Sequence, residues 1–126
     1  MSLRTPLARA QGLGSSKEGV GHWWHQRLTA IALVPLTLWL AFSVALMGSA
    51  DYYTVVGWLE MPINAGLMIL VLAVAFWHGA LGLQVVIEDY VATKWRKITL
   101  LVLVQFSAVV LALAGILAVL LIMLGV

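Results

Sequence analysis

The chain has no cysteine, only three prolines, and seven basic and five acidic residues among 126. Without cysteine it forms no disulfide, thiolate metal site, cysteine-held iron–sulfur cluster or cysteine nucleophile of its own. Charged residues make up 10% of the chain and hydrophobic ones 63%, whereas an ordinary soluble domain is roughly 25% charged. That balance excludes a water-soluble globular protein. The net charge of +2 is small and scattered, which excludes the basic face that nucleic-acid binding requires.

The charge that is present is segregated. Residues 28–50, 61–87 and 98–126 contain no Asp, Glu, Lys or Arg. These runs predict an all-α membrane protein with three transmembrane helices over about 28–47, 63–87 and 98–124, preceded by a cytoplasmic or interfacial segment, 1–27. The first span would be ~30 Å long, matching the hydrocarbon core of a bilayer, while the others, at roughly 37 and 40 Å, must tilt or protrude into the headgroups. Pro35 predicts a kink in the first span, of the kind that neighbouring helices make tolerable in membranes. The Gly- and Ser-containing leader predicts flexible chain as far as Gly21.

All seven basic residues fall on one side. Arg4, Arg9, Lys17 and Arg27 precede the first span, and Lys94, Arg96 and Lys97 lie between the second and third, whereas the connection over 48–62 holds only Asp51 and Glu60. The positive-inside rule puts the N-terminus in the cytoplasm, or in a mitochondrial matrix, and the C-terminus outside, which for a bacterium is the periplasm. Trp23, Trp24 and Trp95 then fall at the inner interface and Tyr52, Tyr53 and Trp58 at the outer one, as in aromatic belts.

Few polar groups remain to carry chemistry. His78 sits in the middle of the second span, where an ionisable residue normally faces the bundle interior and has a partner. Its apolar flanks favour the neutral imidazole, which is the form that ligates a metal. Two readings fit: a hydrogen bond to a neighbouring helix, or metal ligation. Gly82 and Asp89 fall within about 40° of the His78 direction on a helix, the carboxylate ~16 Å along the axis. Gly82 leaves bare backbone that would admit the edge of a flat macrocycle, or serves, with Gly79, close helix packing.

Glu88, Asp89 and Tyr90 follow where the second span reaches the cytoplasmic headgroups. The acids either pair with Lys94, Arg96 or Lys97, or Asp89 orients groups or relays protons while the Tyr90 phenol donates to the carbonyl of a lipophilic ligand such as a quinone. Ahead of the first span, His22, His25 and Arg27 stand among Trp23 and Trp24. This composition fits anchorage at lipid phosphates, and equally the binding of a cofactor's carboxylates by bidentate arginine bonds.

Two stretches, HWWHQRLTAIALVPL over 22–36 and HGALGLQVVIEDYV over 78–91, with Asp-Tyr beginning eleven positions after the histidine, resemble the hydrophobic membrane anchor of succinate dehydrogenase, respiratory complex II, in its bacterial form. They cover about a quarter of the chain, and three spans fit the rest. The resemblance implies that His78 is an axial ligand of haem b shared with a second anchor subunit, that Tyr90 and Asp89 belong to a ubiquinone site, and that Arg27, with His25, lies near the haem propionates or the quinone. It implies further partners, a flavoprotein carrying FAD and an iron–sulfur subunit, docked at the cytoplasmic face of a bacterial inner membrane. His78 is the only histidine within a span, so a second axial ligand must come from the partner. Enzyme activity would belong to the complex rather than to this chain. Glu88 receives no role. Two rival readings are an accessory subunit of a proton-coupled transporter, with His78 and Asp89 on a proton path, and a purely structural small membrane subunit.

Overall fold

The structure, a computed structural model, describes residues 5–10 and 17–126. Helices α1 (Pro6–Ala10), α2 (Lys17–Leu46), α3 (Tyr52–Leu59), α4 (Pro62–Tyr90) and α5 (Lys94–Leu124) follow one another, and no strand occurs among the described residues. α2 from Val20, together with α4 and α5, is long and apolar enough to cross a membrane. In hydrocarbon every backbone donor and acceptor must be satisfied within its own segment, so charge-free runs of this length fold as helices.

One expectation changes, and one element is new. The helix starts at Lys17 rather than after Gly21, so the last part of the expected flexible leader is helical and continuous with the first span. No proline interrupts that stretch, and adding turns to an existing helix costs far less than nucleating one. The expected flexible leader over 11–16 lies outside the described residues, as do 1–4. The connection over 48–62 contains α3. Asp51 caps it: the Thr54 N–H donates to Oδ1 at 2.8 Å, and the Ser49 and Thr54 hydroxyls donate to Oδ2 at 2.7 and 3.1 Å. These bonds hold the Asp51 carboxyl below its ordinary 3.8, with the Thr54 backbone N–H as the largest cause.

α2 continues through Pro35 without a break. It ends where Gly48 turns into the left-handed region at φ 72°, as α5 ends at Gly125 with φ 71°, a backbone conformation that side chains with a Cβ disfavour. Pro62 opens α4 at its first turn, where its missing N–H costs nothing. The Asn64 amide donates to the Trp58 carbonyl at 3.0 Å, tying the start of α4 to the end of α3.

α4 is the middle helix. It packs on α2 along one side and on α5 along the other, while the α2 and α5 backbones do not approach each other. Most of the buried residues accordingly lie on α4: Ala65, Val71, Ala80, Leu81 and Ile87. At the α3 end, Leu59 and Ala65 close with Val119 of α5 into a small core that Met68, Leu72 and Ile122 extend. A Cβ on Gly115 of α5 would come within 3.1 Å of Leu72, so the helices meet there because that residue has no side chain. The outward faces are apolar and exposed, as suits surfaces that meet lipid or another membrane helix.

Candidate functional site

The second to fourth turns of apolar α2 carry a polar stripe. His22, Gln26 and Thr29, spaced four and three apart, lie on one face and are half-buried against α4. The Gln26 amide nitrogen fills the space over Gly82, 3.7 Å from where a Cβ would stand. Nε2 of His22 and Oε1 of Gln26 are buried with no hydrogen-bond partner among the described residues. The macrocycle edge expected over Gly82 would therefore share that place with Gln26.

Thr29 reaches His78 across the helices, with its Oγ1 3.0 Å from Nδ1 of the ring. The same hydroxyl lies 2.7 Å from the His25 carbonyl and 3.1 Å from the Gln26 carbonyl, to which it donates. A hydroxyl has one proton and two lone pairs. With its proton kept on the main chain of α2, where the shortest of the three contacts lies, it accepts from the ring. In that arrangement the neutral imidazole would carry its hydrogen on Nδ1 and leave a lone pair on Nε2, which has no hydrogen-bond partner among the described residues, whereas a hydroxyl donating to Nδ1 would require the other tautomer. The two sequence readings of His78 thus use different nitrogens: Nδ1 meets the neighbouring helix, and Nε2 would be the one available to a metal. The donor set fits one axial bond. No group of three or more His, Cys, Asp or Glu side chains able to hold a bare metal ion occurs among the described residues.

The other expected residues divide. His25 comes close to this centre, its ring edge-on to Trp77 of α4 with centroids 6.1 Å apart. Arg27 lies on a different face of α2, exposed, with its guanidinium 5.6 Å from the centre of the Trp23 ring. Asp89 and Tyr90 are exposed on the last turn of α4, Tyr90 at 83%, some 16–18 Å along the axis from His78. Glu88 accepts from the Gln84 amide at 3.0 Å, and neither acid pairs with Lys94, Arg96 or Lys97. Thr29, Gln26 and His22 do not stand out as a set in the sequence, although their spacing of four and three within an otherwise apolar helix is the available signal. On the α5 side of α4 lies an apolar groove of about 430 Å³, lined among others by Gly79, Leu83 and Leu103, with Ser107 as its only polar side chain.

The family model described as "Succinate dehydrogenase/Fumarate reductase transmembrane subunit" matches residues 1–112. The chain belongs to that family. It is 34% identical to the succinate dehydrogenase hydrophobic membrane anchor subunit of Rickettsia bellii over 93% of this chain and 94% of the relative. The corresponding subunit of Paracoccus denitrificans is 31% identical over 90% and 88%, and the succinate dehydrogenase membrane anchor subunit of Reclinomonas americana 34% identical over 75% and 81%. No solved structure gives a significant match. The anchor is thus a multi-pass protein, consistent with a bacterial inner membrane, and its place in an enzyme is that of one subunit of a complex. Membership favours this reading over the transporter accessory and the purely structural subunit.

Proposed function

We propose that the chain is the hydrophobic anchor of a succinate:ubiquinone oxidoreductase, in which it helps hold haem b and ubiquinone and seats the flavoprotein and iron–sulfur subunits on the cytoplasmic face. The observation that carries the proposal is the Thr29–His78 contact, which occupies Nδ1 of a histidine in the middle of the second span and supports the reading that Nε2 serves iron. Haem b, when bound, supplies a one-electron centre within the membrane. His78 would hold it from this chain, and a second anchor subunit would supply the other ligand.

His25 and the exposed guanidinium of Arg27 are suited to carboxylates at the headgroup level, propionates or a quinone's surroundings. Tyr90 donates its phenol proton to a carbonyl of ubiquinone, and Asp89 beside it orients groups or relays protons from water. Succinate oxidation releases two electrons and two protons, and ubiquinone consumes two of each. The quinone head must therefore sit where lipid, electron donor and water meet, as the end of α4 does. FAD and the iron–sulfur clusters belong to the peripheral subunits.

A reduced-minus-oxidised spectrum of the complex purified through this chain tests the proposal. His78→Leu keeps the span apolar and should abolish the low-spin b-type band, while an unchanged band in the assembled mutant removes His78 from the ligand role. Reporters near Thr93 and after Val126 test the orientation, with the first expected in the cytoplasm and the second in the periplasm.

A further inference from the structure

The polar stripe on α2 has one member whose geometry does more than fill space. Thr29 is not a residue that packing alone would require at a helix seam, where alanine or valine serves as well. In an apolar helix a threonine hydroxyl normally bonds back to its own preceding turn and ends there, as Thr37 does to the Leu33 carbonyl at 2.6 Å and Thr99 to the Trp95 carbonyl at 2.8 Å. Thr29 makes the same bond, to the His25 carbonyl at 2.7 Å, and in addition meets a ring nitrogen on another helix at 3.0 Å.

We propose that Thr29 is a positioning residue for the haem-iron ligand: it fixes the Nδ1–H tautomer of His78 and, as a neutral acceptor, sets how strongly the imidazole donates to the metal. This rests on the reading of His78 as an axial ligand. The relay runs from Nδ1–H to the Thr29 oxygen and from its proton to a main-chain carbonyl of α2. A hydroxyl that is itself donating becomes a better acceptor, because consecutive hydrogen bonds polarise one another. Ligating histidines generally need such a partner on the second nitrogen, most strongly a carboxylate. A threonine oxygen carries no charge and brings no buried acid into the span, at the price of a weaker pull on the Nδ1 proton. The bond also holds the ring plane against α2, so Nε2 keeps one direction.

Thr29→Val keeps the shape and β-branching and removes the acceptor. In the complex purified through this chain, with subunit composition and dye-linked succinate oxidation at wild-type levels as proof of assembly, two readings should move. The haem midpoint potential rises, because an imidazole whose Nδ1–H has no acceptor donates less to ferric iron. Haem affinity, followed by transfer to excess apomyoglobin, falls by about 10–100-fold. Thr29→Ser, which restores the hydroxyl, returns both toward wild type. Thr29→Ala, which cannot crowd α4, is read in the same way should the valine variant not assemble. Wild-type midpoint and haem retention in Thr29→Val or Thr29→Ala, with the b-type band still lost in His78→Leu, overturn the role of Thr29 and leave the ligand assignment standing. Absence of a b-type band from the wild-type complex, or its persistence in His78→Leu, overturns the ligand assignment itself.

Discussion

Trp39 of α2 and Trp58 of α3 stack with ring centroids 5.3 Å apart and planes 26° apart. Two indoles thus bind the first long helix to the short one that follows it, at the end of the molecule away from His78. Trp58 also packs against the core of Leu59, Ala65 and Val119. Through that pair, α2 is held against the α3 corner as well as along its seam with α4.

Replacing either indole by alanine should lower thermal stability in mild detergent, with ~0.5–1.5 kcal/mol of the loss due to the ring pair itself beyond area burial. A double-mutant cycle over Trp39→Ala and Trp58→Ala measures it. Additive losses would mean that the stacked rings contribute nothing to each other.

Gly82 should tolerate one methyl and not four carbons. A Cβ there meets the Gln26 amide at 3.7 Å, an ordinary contact, and alanine gains up to ~1 kcal/mol of helix propensity over glycine. Leucine must displace Gln26 and push α2 from α4, at a cost of about 1–3 kcal/mol. Melting of the purified complex, together with its b-type band, should show Gly82→Ala near wild type and Gly82→Leu destabilised with haem weakened.

Tyr90→Phe keeps the ring and removes the donor. If the phenol stabilises charge developing on a quinone oxygen, succinate:quinone activity falls ~10²-fold, the typical cost of losing one preorganised donor. Dye-linked succinate oxidation stays near normal. Asp89→Asn should follow in the same direction with a smaller loss. Unchanged quinone reduction and inhibitor binding in Tyr90→Phe would return Tyr90 to the aromatic belt.

Asp51 gives a pH-dependent helix end. Its folded-state carboxyl is held low, chiefly by the Thr54 N–H and then by the Ser49 hydroxyl, so it binds fewer protons folded than unfolded at acid pH. Its support for α3 is therefore fully present above the ordinary carboxylate value and is lost as pH falls through the lowered one. Hydrogen exchange at the Thr54 amide should accelerate, relative to interior amides of α4, over that acid range. In Asp51→Ala the dependence should vanish.

Three long helices are legible in the sequence because stretches without charge of that length have one stable backbone solution in a bilayer. α3 is not, since its short apolar run reads as connection until the Asp51 cap and the Trp58 stacking are seen together. The helical start over 17–21 is hidden because its glycines suggest loop, whereas the helix arriving from Gly21 onward carries them. At the site, His78 announces itself by isolation. Thr29 does not, because a threonine in an apolar helix is usually self-satisfied, and its partner lies 49 positions away. Arg27 groups with His25 by proximity in sequence, yet residues two apart on a helix point in different directions, and only His25 approaches α4.

The arrangement of α2 and α5 on opposite flanks of α4, without contact between their backbones, makes the two seams separable in evolution. Drift in the residues that join α5 to α4, including those bordering the groove at Ser107, leaves the Thr29–His78 geometry undisturbed so long as α4 itself stays straight. Relatives should therefore vary freely along α5 while keeping the size and polarity of the short run from His22 to Thr29. A chimaera that exchanges α5 wholesale would retain the centre, and one that exchanges the start of α2 would not.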